Sequence, residues 1–219
     1  IVPSFSVGRT QEVLYDIYNL QKENLIPKIN IFVDSPLSSN ATEVFKNHPE
    51  CYDKEMMEMF NDGQNPFEFE NLHYVTDVNE SKQLNMLKTP SIIISSSGMC
   101  EAGRILHHLK HNISDKKNTV LITGFMAKET LGRKIADNEK KVRIFSEEFA
   151  VRADVYIMNE YSAHADKDDL LNHVKDTTPE KIFLVHGESN QQDAFSKTLS
   201  FNGYKNIVAP ARGESYEII

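Results

Sequence analysis

Short runs of β-branched and aliphatic residues alternate along this chain with polar turns and stretches of helical periodicity. The runs at 1–5, 29–33, 91–95, 119–125, 153–159 and 181–185 read as strands. Stretches 10–23, 39–48, 102–112, 131–137, 167–175 and 190–201 read as helices. Strand followed by helix, repeated, predicts an α/β fold with a mainly parallel sheet flanked by helices. Pro27, Pro90 and Pro179 each stand just before a strand, where they stop the preceding helix. Ser189 with Gln192 gives the last helix a capping-box start, and Asp166 with Asp169 is a weaker version of it. The stretch 49–71 breaks the alternation. Acidic, with Met56, Met57, Met59 and Phe60 close together, it reads as a surface helical insertion that packs locally. No period of 20 to 50 residues recurs.

Composition narrows the class. Hydrophobic residues make up 40% and charged residues 26%, which excludes a collagen, a disordered chain and a coiled coil. Apolar runs such as 92–94 and 182–185 fall far short of the roughly 20 residues that a membrane-spanning helix needs. The first seven residues lack the basic start of a secretory signal. Cys51 and Cys100 make no disulfide scaffold and fit a reducing, cytoplasmic setting. The chain opens at Ile1 inside a strand-like run, so a fragment of a longer polypeptide is expected. Lys and Arg number 24 against 32 Asp and Glu, a formal charge of −8. That balance argues mildly against broad electrostatic binding to a polyanion and leaves room for a local basic groove.

Ligands of open α/β sheets bind beyond the carboxyl ends of the strands, so the post-strand loops are read together. Each carries hydroxyl, glycine, arginine or histidine groups, including Ser4, Ser6, Arg9, Ser35, Ser97, Gly98, Thr130, Gly132, Arg133, Ser162 and Ala163, with Arg104 just beyond one of them. Arginine forks match phosphate oxygens, and glycine lets backbone N–H groups approach them. Such polarity is also ordinary turn chemistry for any one loop; its repetition favours a phosphate-binding edge. Neither a Walker A nor a G-x-G-x-x-G pattern is present.

The histidines divide by position. His164 and His186 each follow a predicted strand with one helix between, so a right-handed βαβ crossover would bring both to one sheet edge. There they suit a metal or a proton transfer, or they merely cap strand ends. His107 and His111 are four apart on a helix with no third ligand near in sequence, which favours an exposed face. Cys100 reads as a small buried hydrophobe. No G-x-S-x-G elbow supports a serine nucleophile.

Six ordered motifs then make a resemblance. They are Pro3-Ser4-Phe5-Ser6-Val7-Gly8-Arg9-Thr10-Gln11-Glu12, Asp34-Ser35-Pro36, Ser96-Ser97-Gly98-Met99, Thr130-Leu131-Gly132-Arg133, Ser162-Ala163-His164-Ala165-Asp166 and Leu184-Val185-His186-Gly187-Glu188. Over essentially the whole chain they resemble the β-CASP branch of the metallo-β-lactamase superfamily, closest to its bacterial and archaeal ribonucleases. The resemblance implies a Rossmann-like β-CASP cap domain over 1–160 and, over 161–219, the C-terminal portion of a metallo-β-lactamase αββα fold. It implies a zinc-dependent ribonuclease with two zinc ions, single-stranded RNA held between cap and nuclease domains, and no membrane. His164 matches a motif whose histidine assists the leaving group, and His186 one whose histidine binds zinc.

Departures are equally informative. The H-x-H-x-D-H zinc signature is absent and would lie before Ile1, and Lys128-Glu129 replaces the small glycine-containing turn usual before Thr-Leu-Gly-Arg. The parent is thus expected to hydrolyse RNA phosphodiesters, with this fragment inactive until joined to its missing N-terminal metallo-β-lactamase domain. Homodimerisation stays open. So do a non-catalytic RNA-binding or scaffold paralogue and a DNA-processing β-CASP nuclease.

Overall fold

The structure, a computed structural model, describes residues 1–162 and 164–217. Contacts divide it into two units, Ile1–Ser162 and Ala163–Ile219. The first runs β1 (Val2–Pro3), α1 (Arg9–Lys22), β2 (Asn30–Val33), α2 (Pro36–Asn47), a 3-10 turn at Pro49–Cys51, α3 (Lys54–Asn61), β3 (Leu72–Tyr74) and α4 (Val78–Leu84). It continues through β4 (Ser91–Ser95), α5 (Ile105–Asn112), β5 (Thr119–Ile122), α6 (Leu131–Ala136), β6 (Lys141–Ile144), β7 (Glu147–Ala150) and β8 (Asp154–Ile157). The second holds α7 (Lys167–Val174), β9 (Ile182–Phe183), α8 (Ser189–Phe201) and β10 (Ile207–Val208).

Strands β1, β4, β2 and β3 lie in that order, all parallel. β5 pairs in parallel with β8. The amino group of Ile1 donates to Thr119 O at 2.7 Å and Leu121 N donates to Ile1 O at 2.9 Å, which lays β5 along β1. This is the expected parallel α/β sheet. Strand alternation divides its residues between two faces. Ile31 and Val33 pack with Val2, Val13, Leu14, Ile17 and Ile94, while Phe32 turns toward Val75, Leu84 and Ile93. A further core joins Ile105, Leu109 and Ile113 of the α5 region to Val120, Ile122, Leu131, Ile135, Val142 and Ile144.

Five elements depart from the pattern reading. β3 and β10 are three and two residues long, too short for alternation to show, and α4 is a single short helix. The β6–β7 hairpin turns through Phe145 and Ser146, at φ 50° and 67°. Two positive φ values in a two-residue loop are what an Asn-Gly pair would advertise, and Phe-Ser does not advertise it. Phe145 instead packs on His107, ring centroids 4.7 Å apart.

The helix starts also differ. Glu188, not Ser189, is the N-cap of α8 and gives no side-chain cap. The weaker-looking signal is the realised one: Asp166 accepts the N–H groups of Asp168 and Asp169 at 2.8 and 2.9 Å, and Asp169 accepts Asp166 N–H in return.

The 49–71 insertion does not merely pack on itself. Phe67 enters the main core, 3% exposed, with Tyr52, Met56, Phe60 and Phe69 against it. Tyr15 Oη donates to Glu55 Oε1 at 3.0 Å and Lys22 Nζ to Gln64 Oε1 at 2.6 Å, tying the insertion to α1. The Phe67→Ala variant is expected to lose about 3–5 kcal/mol of unfolding free energy in urea titration, the range for deleting a core aromatic ring. A loss below about 1 kcal/mol would mean that the insertion is a surface appendage.

Candidate nucleic-acid interface

The loops after β1, β2 and β4 meet through their serines. Ser35 Oγ lies 2.9 Å from Ser96 Oγ and 3.5 Å from Ser6 Oγ. Ser35 is also the N-cap of α2, accepting Ser38 N–H at 3.2 Å, with Pro36 at the first helical position. Ser4 is buried and donates to Phe5 O at 3.3 Å. Ser97 Oγ accepts the N–H groups of Glu101 and Ala102 at 3.1 and 3.4 Å. Thr10 Oγ1 donates to Phe5 O at 2.8 Å. The hydroxyls foreseen as phosphate ligands thus first hold the loops to one another.

Beneath this rim lies Asp34, fully buried at the end of β2. Its Oδ1 accepts from Arg104 Nη1 at 2.6 Å, and its Oδ2 accepts from His108 Nε2 and Ser81 Oγ, each at 2.6 Å. Arg104 donates in addition to Val75 O (3.1 Å) and Thr76 O (2.6 Å), and His108 Nδ1 is paired with Asn85 Oδ1 at 2.9 Å. Burial alone would raise the Asp34 carboxyl, yet the bonds from His108, Ser81 and Arg104 outweigh it and hold it below the usual aspartate value. His108 was not singled out from the sequence. Its signal was there: Ile105, His108 and Leu109 share one helical stripe, so the imidazole turns inward beside two aliphatic residues.

The Arg104 guanidinium, read from the sequence as a phosphate ligand, is held by a buried carboxylate and two carbonyls. The start of α6 is committed in the same way. Leu131 N–H donates to Glu101 Oε1 (2.6 Å), Gly132 N–H to Met99 O (3.0 Å) and Arg133 N–H to Thr130 Oγ1 (3.1 Å). Thr130 and Gly132 thus serve the helix start. Gly132 is required for close packing, since a Cβ there would stand 2.5 Å from Met126 Sδ and 2.9 Å from Met99 O. Gly98 likewise leaves room for the Phe5 ring. Arg133 Nε is bound to both oxygens of Asp137, at 2.9 and 2.8 Å.

Arg9 remains at the rim, most of its side chain covered. Its Nη1 donates to Glu12 Oε2 at 2.6 Å and its guanidinium sits 5.1 Å above the Tyr161 ring. Tyr161 in turn donates to Asp16. Ser162 is exposed, its N–H bound to Asn159 O at 2.9 Å, and Ala163 lies outside the described residues. Cys100 is buried with its thiol pushed up to about 12 by burial, an inert small hydrophobe as read. His107 and His111 are exposed, as their spacing implied.

In the second unit, His164 and His186 come together with ring centroids 6.3 Å apart, both exposed. The route differs from the expected one: β8 and β9 belong to different sheets, so no shared βαβ edge joins the two residues. His186 sits at φ 61°, in the left-handed region that histidine enters more readily than most side chains. Gln192 Nε2 donates to Leu184 O at 3.1 Å, fixing the end of β9 beside α8. A cavity of about 460 Å³ borders His186, with Leu170, Phe183, Val185, Phe195, Lys167 and Gln192 among its lining residues. Among the described residues, no three His, Cys, Asp or Glu side chains gather into a metal-binding set.

A parallel sheet with a loop-built carboxyl edge, followed by a smaller histidine-bearing unit, defines an α/β protein of the class whose ligands bind beyond the strand ends. The Beta-Casp domain family model matches residues 10–135, and that of the Zn-dependent metallo-hydrolase RNA specificity domain matches 148–210. The chain belongs to the β-CASP family of metallo-β-lactamase-type proteins. It is 34% identical over 209 residues to a ribonuclease of Thermus thermophilus, covering 95% of this chain and 48% of that protein. It is 32% identical to an RNase J-like protein of Methanocaldococcus jannaschii, covering 91% of this chain and 45% of that protein. To transcription termination factor FttA of the same organism it is 30% identical, covering 91% and 32%. The chain thus spans about half the length of the first two relatives, and a third of the last.

Asp34 gives a pH prediction. A carboxyl held low in the fold contributes stability that is present above the ordinary aspartate range and lost as pH falls below about 4. Thermal melts between neutral pH and pH 3 should show that loss in the wild type and a flatter profile in D34N. The D34A variant, which strands Arg104 beside a buried histidine, is expected to lose about 3–5 kcal/mol at neutral pH.

Proposed function

We propose that this chain is the cap and RNA-specificity part of a zinc-dependent ribonuclease that hydrolyses phosphodiester bonds of single-stranded RNA. In this reading the β-CASP part ends near residue 160 and the remainder belongs to the metallo-hydrolase part. The observation that carries it is the His164–His186 pair, in the segment matching the Zn-dependent metallo-hydrolase RNA specificity domain. His186 offers one imidazole to a metal, and two imidazoles fall short of the three protein ligands of a catalytic zinc site. The chain by itself is therefore expected not to hold the metal; the other ligands belong to the part of the polypeptide that relatives carry beyond this length. His164 is the proton carrier. As the P–O bond to the leaving sugar breaks, the departing oxygen takes a proton from the His164 imidazolium, leaving a neutral ring.

The full-length polypeptide, assayed on end-labelled single-stranded RNA, should lose most turnover in H164A while its zinc content is unchanged, and lose both zinc and turnover in H186A. A general acid of this kind contributes about 100- to 10,000-fold. Unchanged turnover in H164A would overturn the proton-transfer role. The 219-residue chain alone should not cleave RNA with or without added zinc. Cleavage by it that H186A abolishes would show that it holds a complete site after all.

A further inference from the structure

Two phenylalanines stand in solvent at the carboxyl edge of the first unit's sheet, Phe5 at 48% and Phe125 at 56% exposure. They leave from neighbouring strands at matching positions. Thr123 Oγ1 donates to Pro3 O at 3.4 Å, and each phenylalanine lies two residues beyond that link. Phe5 is fixed from behind. Its carbonyl accepts both the N–H and the hydroxyl of Thr10, at 3.2 and 2.8 Å. Its ring rests over Gly98, where any Cβ would come within 2.9 Å of Cδ2. Beside it runs the Ser6, Ser35 and Ser96 hydroxyl row.

The charges at this edge point the other way. Arg9 is bound to Glu12, Arg104 to Asp34 and Arg133 to Asp137, and the first amides of α6 are taken within the fold. The chain carries a formal −8 besides. At this edge the arginines already carry carboxylate partners, while the two rings stand open to a base. We infer that Phe5 and Phe125 are stacking platforms for successive bases of single-stranded RNA, so that this part of the protein grips RNA mainly by its bases. The inference rests on the RNA reading above. Stacking on an aromatic ring is tolerant of sequence, because every base has a π-face, and it is nearly independent of salt.

The test is fluorescence anisotropy of a labelled adenosine decamer titrated with the 219-residue chain. Phe5→Leu and Phe125→Leu should each weaken binding by about ten-fold or more, the scale of one lost base–aromatic stack. Wild-type affinity should fall by less than about ten-fold between about 50 and 200 mM salt, the behaviour of one or two phosphate contacts. An abasic oligomer of equal length should bind poorly to the wild type and be indifferent to either substitution. The chain has no tryptophan, so F5W supplies a single reporter that keeps an aromatic platform. Its emission should be quenched by the decamer and not by inorganic polyphosphate, which tests the stack even where a leucine variant folds poorly. Leucine variants that bind as wild type, an unquenched F5W, equal binding of the abasic oligomer, or no binding by the wild type would each overturn the stacking role. The ribonuclease reading would then still stand or fall on the H164A and H186A cleavage assays alone.

Discussion

One buried carboxylate organises the first unit. Asp34 closes β2 and receives hydrogen bonds from Arg104, His108 and Ser81, side chains drawn from α4, α5 and the loop before α5. A lone carboxylate at that depth would be prohibitively costly. With three donors at 2.6 Å it becomes a fixed point on which the surrounding elements must agree. Arg104 extends the agreement to the 75–76 backbone, and His108 extends it to Asn85. The network sits one residue before Ser35, whose hydroxyl caps α2 and reaches Ser96. The position of the loop edge is thus set from below, by charge pairing, rather than by the loops themselves.

That arrangement has a chemical consequence. A side chain used to fix the fold is no longer offered to a ligand, and at this edge the strongest donors are used in this way. Arg104 points into the sheet; the amides at the start of α6 are taken by Glu101, Met99 and Thr130. What stands most open there is aromatic, Phe5 and Phe125. A formal charge of −8 is then no obstacle to a nucleic-acid partner, provided that base contacts and a metal centre elsewhere supply what phosphate contacts do not.

The strand–helix alternation was legible because it is a long-range periodic signal. The core strands Ser91–Ser95 and Asn30–Val33 and the long helices fall where the pattern placed them, within a few residues. What escaped was local and short. A hairpin turning on Phe145 and Ser146 lacks turn residues, because the ring of His107 supports a backbone that glycine would normally signal. The insertion looked self-contained because its acidic exterior dominates the composition, while its one fully core residue, Phe67, is a single position. At the candidate site, residue identity was informative and role was not. Arginine and glycine in a post-strand loop are equally good for a phosphate and for a buried pair or a tight contact. Only the partners, Asp34 for Arg104 and Met126 for Gly132, decide between them.

The histidine pair shows the same ambiguity resolved the other way. A shared sheet edge was the reason to expect His164 and His186 near each other, and that reason fails, since β8 and β9 belong to separate sheets. They meet nonetheless. His164 stands two residues before the capping-box aspartate of α7, and His186 stands in a left-handed turn after β9. A capping box starts one helix, and a left-handed turn places the other residue. Two exposed imidazoles would gain nothing for stability from being held this way, because neither buries apolar surface nor completes a core hydrogen bond. The capping box stabilises α7 whatever His164 does, so the meeting of the two rings is set by a helix start and a turn, two local features, rather than by a shared sheet.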